Sequence, residues 1–179
     1  MSFPSSQLAL KTHICALWKL SSQNQLPLKL DENTISFYQQ CFSNAGVIIS
    51  SVHSILKNNS AAIDAVLANV TEFHNNLPDE MSSTISGNIQ RIPEDHLLFM
   101  HCAVATLRLP RWNPNVLSTD PNSMYNILHK QLAIQTFQNV MIAHGYAHFG
   151  INHGKMKLFA LETVLSQFCL QLHARSCEA

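Results

Sequence analysis

Apolar residues recur along most of this chain at alternating steps of three and four, the spacing of one face of an α-helix. The clearest run predicts a second helix whose seam consists of Ile35, Tyr38, Phe42, Ala45, Ile49, Val52 and Leu56. Asp31 or Asn33 stands where a side chain would cap the start of that helix, and Asn58 interrupts its pattern. No stretch shows the sustained alternation of a half-buried strand. The pattern therefore predicts a helical protein.

Five more helices are predicted by the same spacing, at about 6–21, 60–77, 93–109, 121–144 and 154–173. Their core-facing residues are expected to be, in chain order, Leu10, Ile14 and Leu17, with Trp18 at the edge of this face; Ile63, Val66, Leu67, Val70, Phe73 and Leu77; Leu97, Leu98, His101, Val104, Ala105 and Leu107; Met124, Leu128, Leu132, Phe137, Val140 and Met141; and Leu158, Leu161, Leu165, Phe168 and Leu172. Pro93 and Pro121 each fit a first helical turn, where a missing N–H costs nothing, and Asp120 is the expected cap before Pro121.

Segments rich in polar residues, proline or glycine separate these helices. Residues 78–92 have little periodicity, which predicts a loop and the best candidate boundary between two halves. At 179 residues the chain nevertheless has the length of one domain. We therefore predict a single all-α domain over 1–179, an irregular bundle of about five to seven helices with the second and last predicted helices at its centre.

Charge is scarce in this composition: charged residues are 12% of the chain, against about 25% in typical soluble domains. The polar share is carried by 18 serines, 15 asparagines and 11 glutamines, and the formal net charge is zero. Such a surface has weak electrostatic protection against association, which favours a protein partner or self-association. A compositional bias of an AT-rich genome is the alternative explanation. Without a basic cluster, nucleic-acid binding is not expected.

The five cysteines indicate a reducing compartment, because their number is odd, their spacing is wide and no CxxC pair occurs. Lys11 and His13 interrupt what would be the apolar core of a signal peptide. No apolar run approaches the roughly 18–20 residues that a membrane span requires. We expect a cytoplasmic protein with five free thiols, or one delivered without a classical signal.

Ten histidines invite a metal interpretation, and the tightest group is His144, His148 and His153. On a continuous helix His144 and His148 would share a face, and His153 could fold back as a third ligand. Hydrogen-bonding histidines in a buried turn are the favoured interpretation, because no carboxylate or cysteine completes a familiar ligand set. We therefore expect no metal and no cofactor, with these three residues as the weak candidates.

Catalytic signatures are absent from the sequence: it has no GxSxG motif, no glycine-rich phosphate loop and no HExxH spacing. The acidic pairs stand at predicted helix starts or in loops, where capping explains them. An enzyme is therefore not expected, and the sequence identifies no small-molecule substrate.

Two local resemblances lie in residues 146–168, which read YAHFGINHGKMKLFALETVLSQF. This stretch resembles the turn and helix that follow the haem-ligating histidine of globins, with Tyr146 at the position usual for that histidine. The part GINHGKMKLFALETV also resembles the asparagine-glycine-basic motif of Bcl-2 proteins, with His153 where a tryptophan is usual. What the two share is a glycine-rich entry into an apolar helix, so neither assigns the chain to a family.

The leading functional interpretation is a non-enzymatic helical interaction module, an adaptor or chaperone-like subunit of a larger assembly. A second apolar stripe on the predicted second helix supports it, and its members are Phe37, Cys41, Ile48 and Ile55. A central helix buried on all sides would carry the same pattern. By analogy of shape alone, bacterial secretion or virulence machinery would suit such a protein. The alternative function is a haem- or metal-binding, globin-like domain using the histidine-rich turn.

Overall fold

The computed structural model describes residues 5–21, 30–57, 63–78, 84–116, 118 and 120–151. Within these ranges the protein is all-helical, which confirms the predicted fold class. The helices are α1 (Ser5–Trp18), α2 (Glu32–Cys41), α3 (Ala45–Lys57), α4 (Ile63–Asn75), α5 (Ile85–Gln90), α6 (Glu94–Thr106) and α7 (Met124–Ile142), followed by one 3-10 turn at Ala147–Phe149. The helix predicted at 154–173 and its core residues lie outside the described residues.

Helix α7 is the centre of the packing, in contact with α1, α2, α3 and α6. Its buried residues point in every direction around the helix, because Leu128, Ile134 and Val140 are all sealed from solvent. Helix α1 is buried over its second half and also contacts α5 and α6, while α4 packs on α6. The prediction that the second helix is central was wrong: α2 buries only Tyr38, and α3 only Ile48 and Val52.

The predicted second helix is two helices, because the chain leaves helical geometry at Phe42, whose φ and ψ are −122° and 129°. Asp31 caps α2 as predicted, by accepting the N–H of Thr34 at 3.0 Å. Asn44 restarts the helix, since its side-chain oxygen accepts the N–H of Val47 at 3.1 Å. The spacing of apolar residues by three and four continues through the break, but α3 is not rotated as a continuation of α2 would be. Ile48 therefore faces the core in α3.

Helix α5 lies inside the segment predicted to be a loop, so that prediction was wrong for residues 85–90. Thr84 caps it by accepting the N–H of Gly87 at 3.1 Å, and Ile85 and Ile89 are buried. One and a half turns are too short to show helical periodicity in a sequence. The start of α7 also differs: Ser123 is its cap, accepting the N–H of Asn126, whereas Asp120 closes a turn with Asn122.

Three helices end in the same way, with a basic residue in left-handed geometry where glycine is usual. Lys19, Arg108 and His144 have φ of 56°, 57° and 62° at the ends of α1, α6 and α7. Each is followed by the long backbone bond of a Schellman motif, of which Leu20 N–H to Cys15 O, at 2.8 Å, is the shortest. The positive side chains of Lys19 and Arg108 complement the negative ends of the α1 and α6 helix dipoles.

The proline-rich segment after α6 is non-helical, as predicted, and is fixed by buried polar groups. The backbone carbonyl of Asn113 accepts the hydroxyl of Tyr125 at 2.9 Å, and its side chain accepts the Trp18 indole N–H at 2.9 Å. Trp112 donates its indole N–H to the backbone carbonyl of His129 at 2.8 Å. These bonds join the end of α1 to the first half of α7.

None of the helices in the described ranges is long and apolar enough to cross a membrane. Cys15, Cys41 and Cys102 are free thiols, as expected, while Cys169 and Cys177 lie outside the described residues.

Candidate functional site

The four residues predicted to form an interaction stripe do not share one surface. Phe37 is 61% exposed and Cys41 is exposed, Ile55 is half-buried, and Ile48 is fully buried in the core. The break between α2 and α3 rotates the second part of the stripe inward. Ile48 is therefore a core residue, and a charge placed there would test folding rather than association.

The residues on either side of Ile48 are the exposed ones. Val47 is 39% exposed and Ile49 is 43% exposed, so α3 presents aliphatic side chains along both flanks of its buried stripe. Small polar residues, Ser50 and Ser54, separate them on the outer side. Seven of the thirteen residues of α3 are exposed among the described residues, so a large part of its circumference is open there.

No Asp, Glu, Lys or Arg occurs between Glu32 and Lys57, so the whole exposed part of α2 and α3 between these two residues carries no formal charge. We call this exposed part of the two helices the α2–α3 outer face; its exposed apolar members are Phe37 on α2 and, on the two flanks of α3, Val47 and Ile49. The polar groups around them are amides, hydroxyls and the imidazole of the exposed His53. Depletion of charge around exposed aromatic and aliphatic side chains is what distinguishes the core of a protein interface from ordinary surface.

The residues of the histidine-rich turn do not lie where the metal hypothesis requires them. Residues 143–150 form turns and a 3-10 helix, so the argument that His144 and His148 share a helical face does not apply. His144 is exposed and His148 is half-buried, with its pKa lowered by burial and by Arg91. His153 lies outside the described residues. Within the described part of the chain no three His, Cys, Asp or Glu side chains form a group that could hold a metal ion. Haem or metal binding at this turn stays a prediction.

Tyr146 is the residue of this turn that enters the core, and it bonds to His13 on α1. The Tyr146 hydroxyl pairs with Nδ1 of His13, and Nε2 of His13 lies 2.9 Å from the hydroxyl oxygen of Thr136 on α7. The Thr136 hydroxyl itself donates to the carbonyl of Leu132 at 2.7 Å, so it accepts the proton of His13 Nε2. Nδ1 is then an acceptor, and Tyr146 is the donor.

This buried chain of hydrogen bonds is fully satisfied and closed to solvent. His13, Thr136 and Tyr146 have no exposed surface. Burial lowers the pKa of His13 to about 3 and raises that of Tyr146, so both groups are neutral. The Tyr146 ring also stacks on Phe137, with ring centroids 5.0 Å apart. The arrangement joins α1 and α7 to the turn at residues 143–150. Both pKa shifts are caused by burial in the core.

His13 was not predicted as a functional candidate, although its position in the sequence carries a signal. His13 stands between Leu10 and Ile14 and four residues before Leu17, at a position of the buried α1 stripe. A lone polar residue within such a stripe needs a partner, because an unpaired buried polar group is costly. That partner is 133 residues away along the chain.

Comparisons with known proteins give no relative: no family model, no curated protein and no solved structure matches this chain.

Proposed function

We propose that the protein is a non-enzymatic interaction module, an adaptor or chaperone-like subunit of a larger assembly, which binds a partner protein on the α2–α3 outer face. The observation that carries the proposal is the conjunction of exposure and missing charge on this face. Phe37, Val47 and Ile49 are each more than a third exposed, and the surrounding residues 33–56 contain no formal charge.

The chemistry of this face defines its partner. A charged side chain buried against it would find no counter-charge on α2 or α3 between Glu32 and Lys57, and an unpaired buried charge is strongly unfavourable. The exposed side-chain amide of Gln40 can donate to a partner and accept from it, while the Ser50 hydroxyl, which donates to the carbonyls of Gly46 and Val47, can accept. The partner surface is therefore expected to be apolar and bordered by uncharged polar residues.

The first test asks whether the face is free in the whole chain. Ile49→Cys, made in a Cys41→Ser background, should react with a maleimide about as fast as a cysteine at exposed Ser54. An Ile49→Cys thiol that reacts only after denaturation would mean that the chain itself covers α3, and it would overturn the proposal.

The second test maps the partner in a lysate of the source organism. Wild-type protein is compared with Phe37→Ser and Ile49→Ser, and with Ile142→Ser as a control, because Ile142 is an exposed apolar residue on α7. A protein retained by wild type and by Ile142→Ser, but lost with Phe37→Ser and Ile49→Ser, is the expected result. Equal retention by all four would overturn the assignment of this face.

A second copy of this chain is the competing partner for this face. Sedimentation velocity of the purified protein distinguishes self-association from binding of a different protein. We expect a monomer. A dimer that Ile49→Ser dissociates would assign the face to a second copy of the chain instead of an adaptor's partner.

A further inference from the structure

Helix α2 is attached to the rest of the described protein at few places. It has ten residues, and Tyr38 is the only one of them that is buried. Ile35 is half-buried, and Phe37 is 61% exposed. The helix on which α2 packs is α7. A helix with so little buried apolar surface belongs to the least stable part of a fold.

One hydrogen bond joins α2 to another part of the chain that the structure describes. The Tyr38 hydroxyl donates to the backbone carbonyl of Leu107, at the end of α6, with the two oxygens 2.8 Å apart. The Tyr38 ring also lies against the ring of Tyr125 on α7, with centroids 6.3 Å apart. Tyr38 is therefore the anchor of α2.

Helix α4 shows that few buried residues do not always mean few attachments. It also buries a single side chain, Val70, but its polar residues contact two neighbouring helices. Thr71 donates to Glu94 at the start of α6, and His74 lies 3.4 Å from the carbonyl oxygen of Gln90 at the end of α5. Helix α2 has no second polar attachment of this kind within the described ranges.

Both ends of α2 are independent of the neighbouring helices. At the start, the Asp31 carboxylate accepts the N–H groups of Asn33 and Thr34, which belong to the first turn of α2 itself. At the end, Phe42 is extended, and α3 begins with a cap of its own at Asn44. Helix α2 can therefore lose its helical hydrogen bonds without breaking those of α3.

The core of the described protein does not depend on α2 either. Helix α7 also contacts α1, α3 and α6, and α3 is held by its own buried residues, Ile48 and Val52. A helix of ten residues is too short to persist alone in water. Release of α2 from α7 is therefore also its unfolding.

We propose that α2 is a detachable helix, which leaves α7 and unfolds locally while the other described helices stay folded. Its release moves Phe37 away from Val47 and Ile49, because Phe37 lies on α2 and the other two lie on α3. The α2–α3 outer face is then complete only while Tyr38 is bound to Leu107, and Tyr38 is a positioning residue for that face. This regulation of binding rests on the proposed function, whereas the detachment itself does not.

Hydrogen–deuterium exchange of the free full chain, followed by mass spectrometry, measures the detachment. Amides of α2 should exchange on the order of 100-fold faster than those in the middle of α7. Urea below the unfolding transition should hardly change the α2 rates, because a local opening exposes little surface, and should raise the α7 rates. Exchange of α2 at the rates of α7 would overturn the proposal. A complete lack of protection in α2 would also overturn it, because α2 would then not be docked.

Two matched variants test whether the opening of α2 is separate from global unfolding. Tyr38→Phe should speed the exchange of both α2 and α7 about fivefold, because both openings break its bond to Leu107. Tyr125→Phe also removes a buried hydroxyl, which donates to the carbonyl of Asn113 at 2.9 Å. That bond survives the release of α2, so this variant should speed exchange in α7 and leave α2 at its wild-type rate.

Equal acceleration of α2 and α7 by Tyr125→Phe would mean that α2 unfolds only with the whole protein, and an unchanged α2 rate in Tyr38→Phe would remove Tyr38 as the anchor. If a variant does not fold, the urea dependence of the wild-type rates still decides the proposal. Local exchange of α2 combined with an unreactive Ile49→Cys thiol would support the detachable helix and contradict the proposed function. Exchange of α2 only together with α7, combined with a reactive thiol, would overturn the detachable helix alone.

Discussion

The Tyr146 hydroxyl donates a hydrogen bond to Nδ1 of His13, and this bond joins the turn after α7 to the middle of α1. Removing the donor alone leaves a buried acceptor unpaired. We therefore expect Tyr146→Phe to lower the free energy of unfolding by about 1–3 kcal/mol, measured by urea denaturation. His13→Leu combined with Tyr146→Phe should cost less than the sum of the two single changes, because both partners are then apolar. Additive losses would contradict the bond.

Acid should destabilise the protein through its buried histidines. Burial lowers the pKa of His13 to about 3, of His101 to about 4 and of His129 to about 3, from 6.5. Below pH 6.5 these three histidines become protonated in the unfolded chain, whereas in the folded protein they stay neutral down to about pH 3–4. Stability is thus fully present above pH 6.5 and falls with pH, by about 1.4 kcal/mol per unit for each histidine.

Urea denaturation at pH 7, 6 and 5 measures this slope. His129→Asn should reduce it by about a third, because one of the three buried imidazoles is removed. His53→Asn, at an exposed position of α3, is the matched substitution outside the core against which the loss is compared. Stability that is constant between pH 7 and pH 5 would show that these imidazoles are not buried as neutral groups.

Neighbouring residues of α3 should differ sharply in their contribution to stability. Ile48→Ala should lower the free energy of unfolding by about 2–5 kcal/mol, because it empties a fully buried position. Ile49→Ala removes the same atoms from a position that is 43% exposed, so it should cost much less. Similar losses for the two would mean that the register of α3 is wrong.

The left-handed residue after α6 gives a test of backbone strain. Arg108→Gly and Arg108→Ala both remove the side chain, but only alanine keeps the steric cost of φ near 57°. We expect the glycine variant to be more stable than the alanine variant by about 1 kcal/mol in thermal or urea unfolding. The opposite order would show that residue 108 does not adopt this conformation in solution.

The cysteine thiols should differ in the rates at which they react with a thiol reagent. Cys41 is exposed, whereas Cys15 is buried with its pKa raised to about 12 by desolvation, so little thiolate forms there. In native protein Cys41→Ser should remove one rapidly reacting thiol, and in denaturant the count should fall from five to four. A fast phase that is unchanged by Cys41→Ser would place Cys41 in a protected environment.

The helices were predicted well where apolar spacing and capping residues, which are close in sequence, determine them. The spacing of Leu10, Ile14 and Leu17 identifies the buried face of α1, and Asp31 caps α2 as its residue type suggests. The six-residue α5 was missed because it is shorter than two helical turns. The break at Phe42 was missed because hydrophobic spacing continues across it, and only the capping amide of Asn44 marks it in the sequence.

The functional residues were harder to predict because they are brought together by contacts between parts of the chain that are far apart in sequence. His144 and His148 were weak metal candidates because they are close in sequence, yet Tyr146 between them is the residue that enters the core. Its partner His13 lies near the other end of the described chain. Likewise, Ile48 and Ile49 are equivalent in a hydropathy pattern, and only the packing of α3 on α7 decides which of them faces solvent.

The missing charge on the α2–α3 outer face has a consequence for the kinetics of anything that binds there. Because this face carries no formal charge and the formal net charge of the chain is zero, the field that could steer a partner to it is weak, and the association rate should stay near the 10⁵–10⁶ M⁻¹s⁻¹ of unsteered protein pairs. Adding salt screens charges and would have nothing on this face to screen. Binding at α2 and α3 should therefore be nearly independent of ionic strength, and the residence time of the partner should depend on how well it packs against Phe37, Val47 and Ile49.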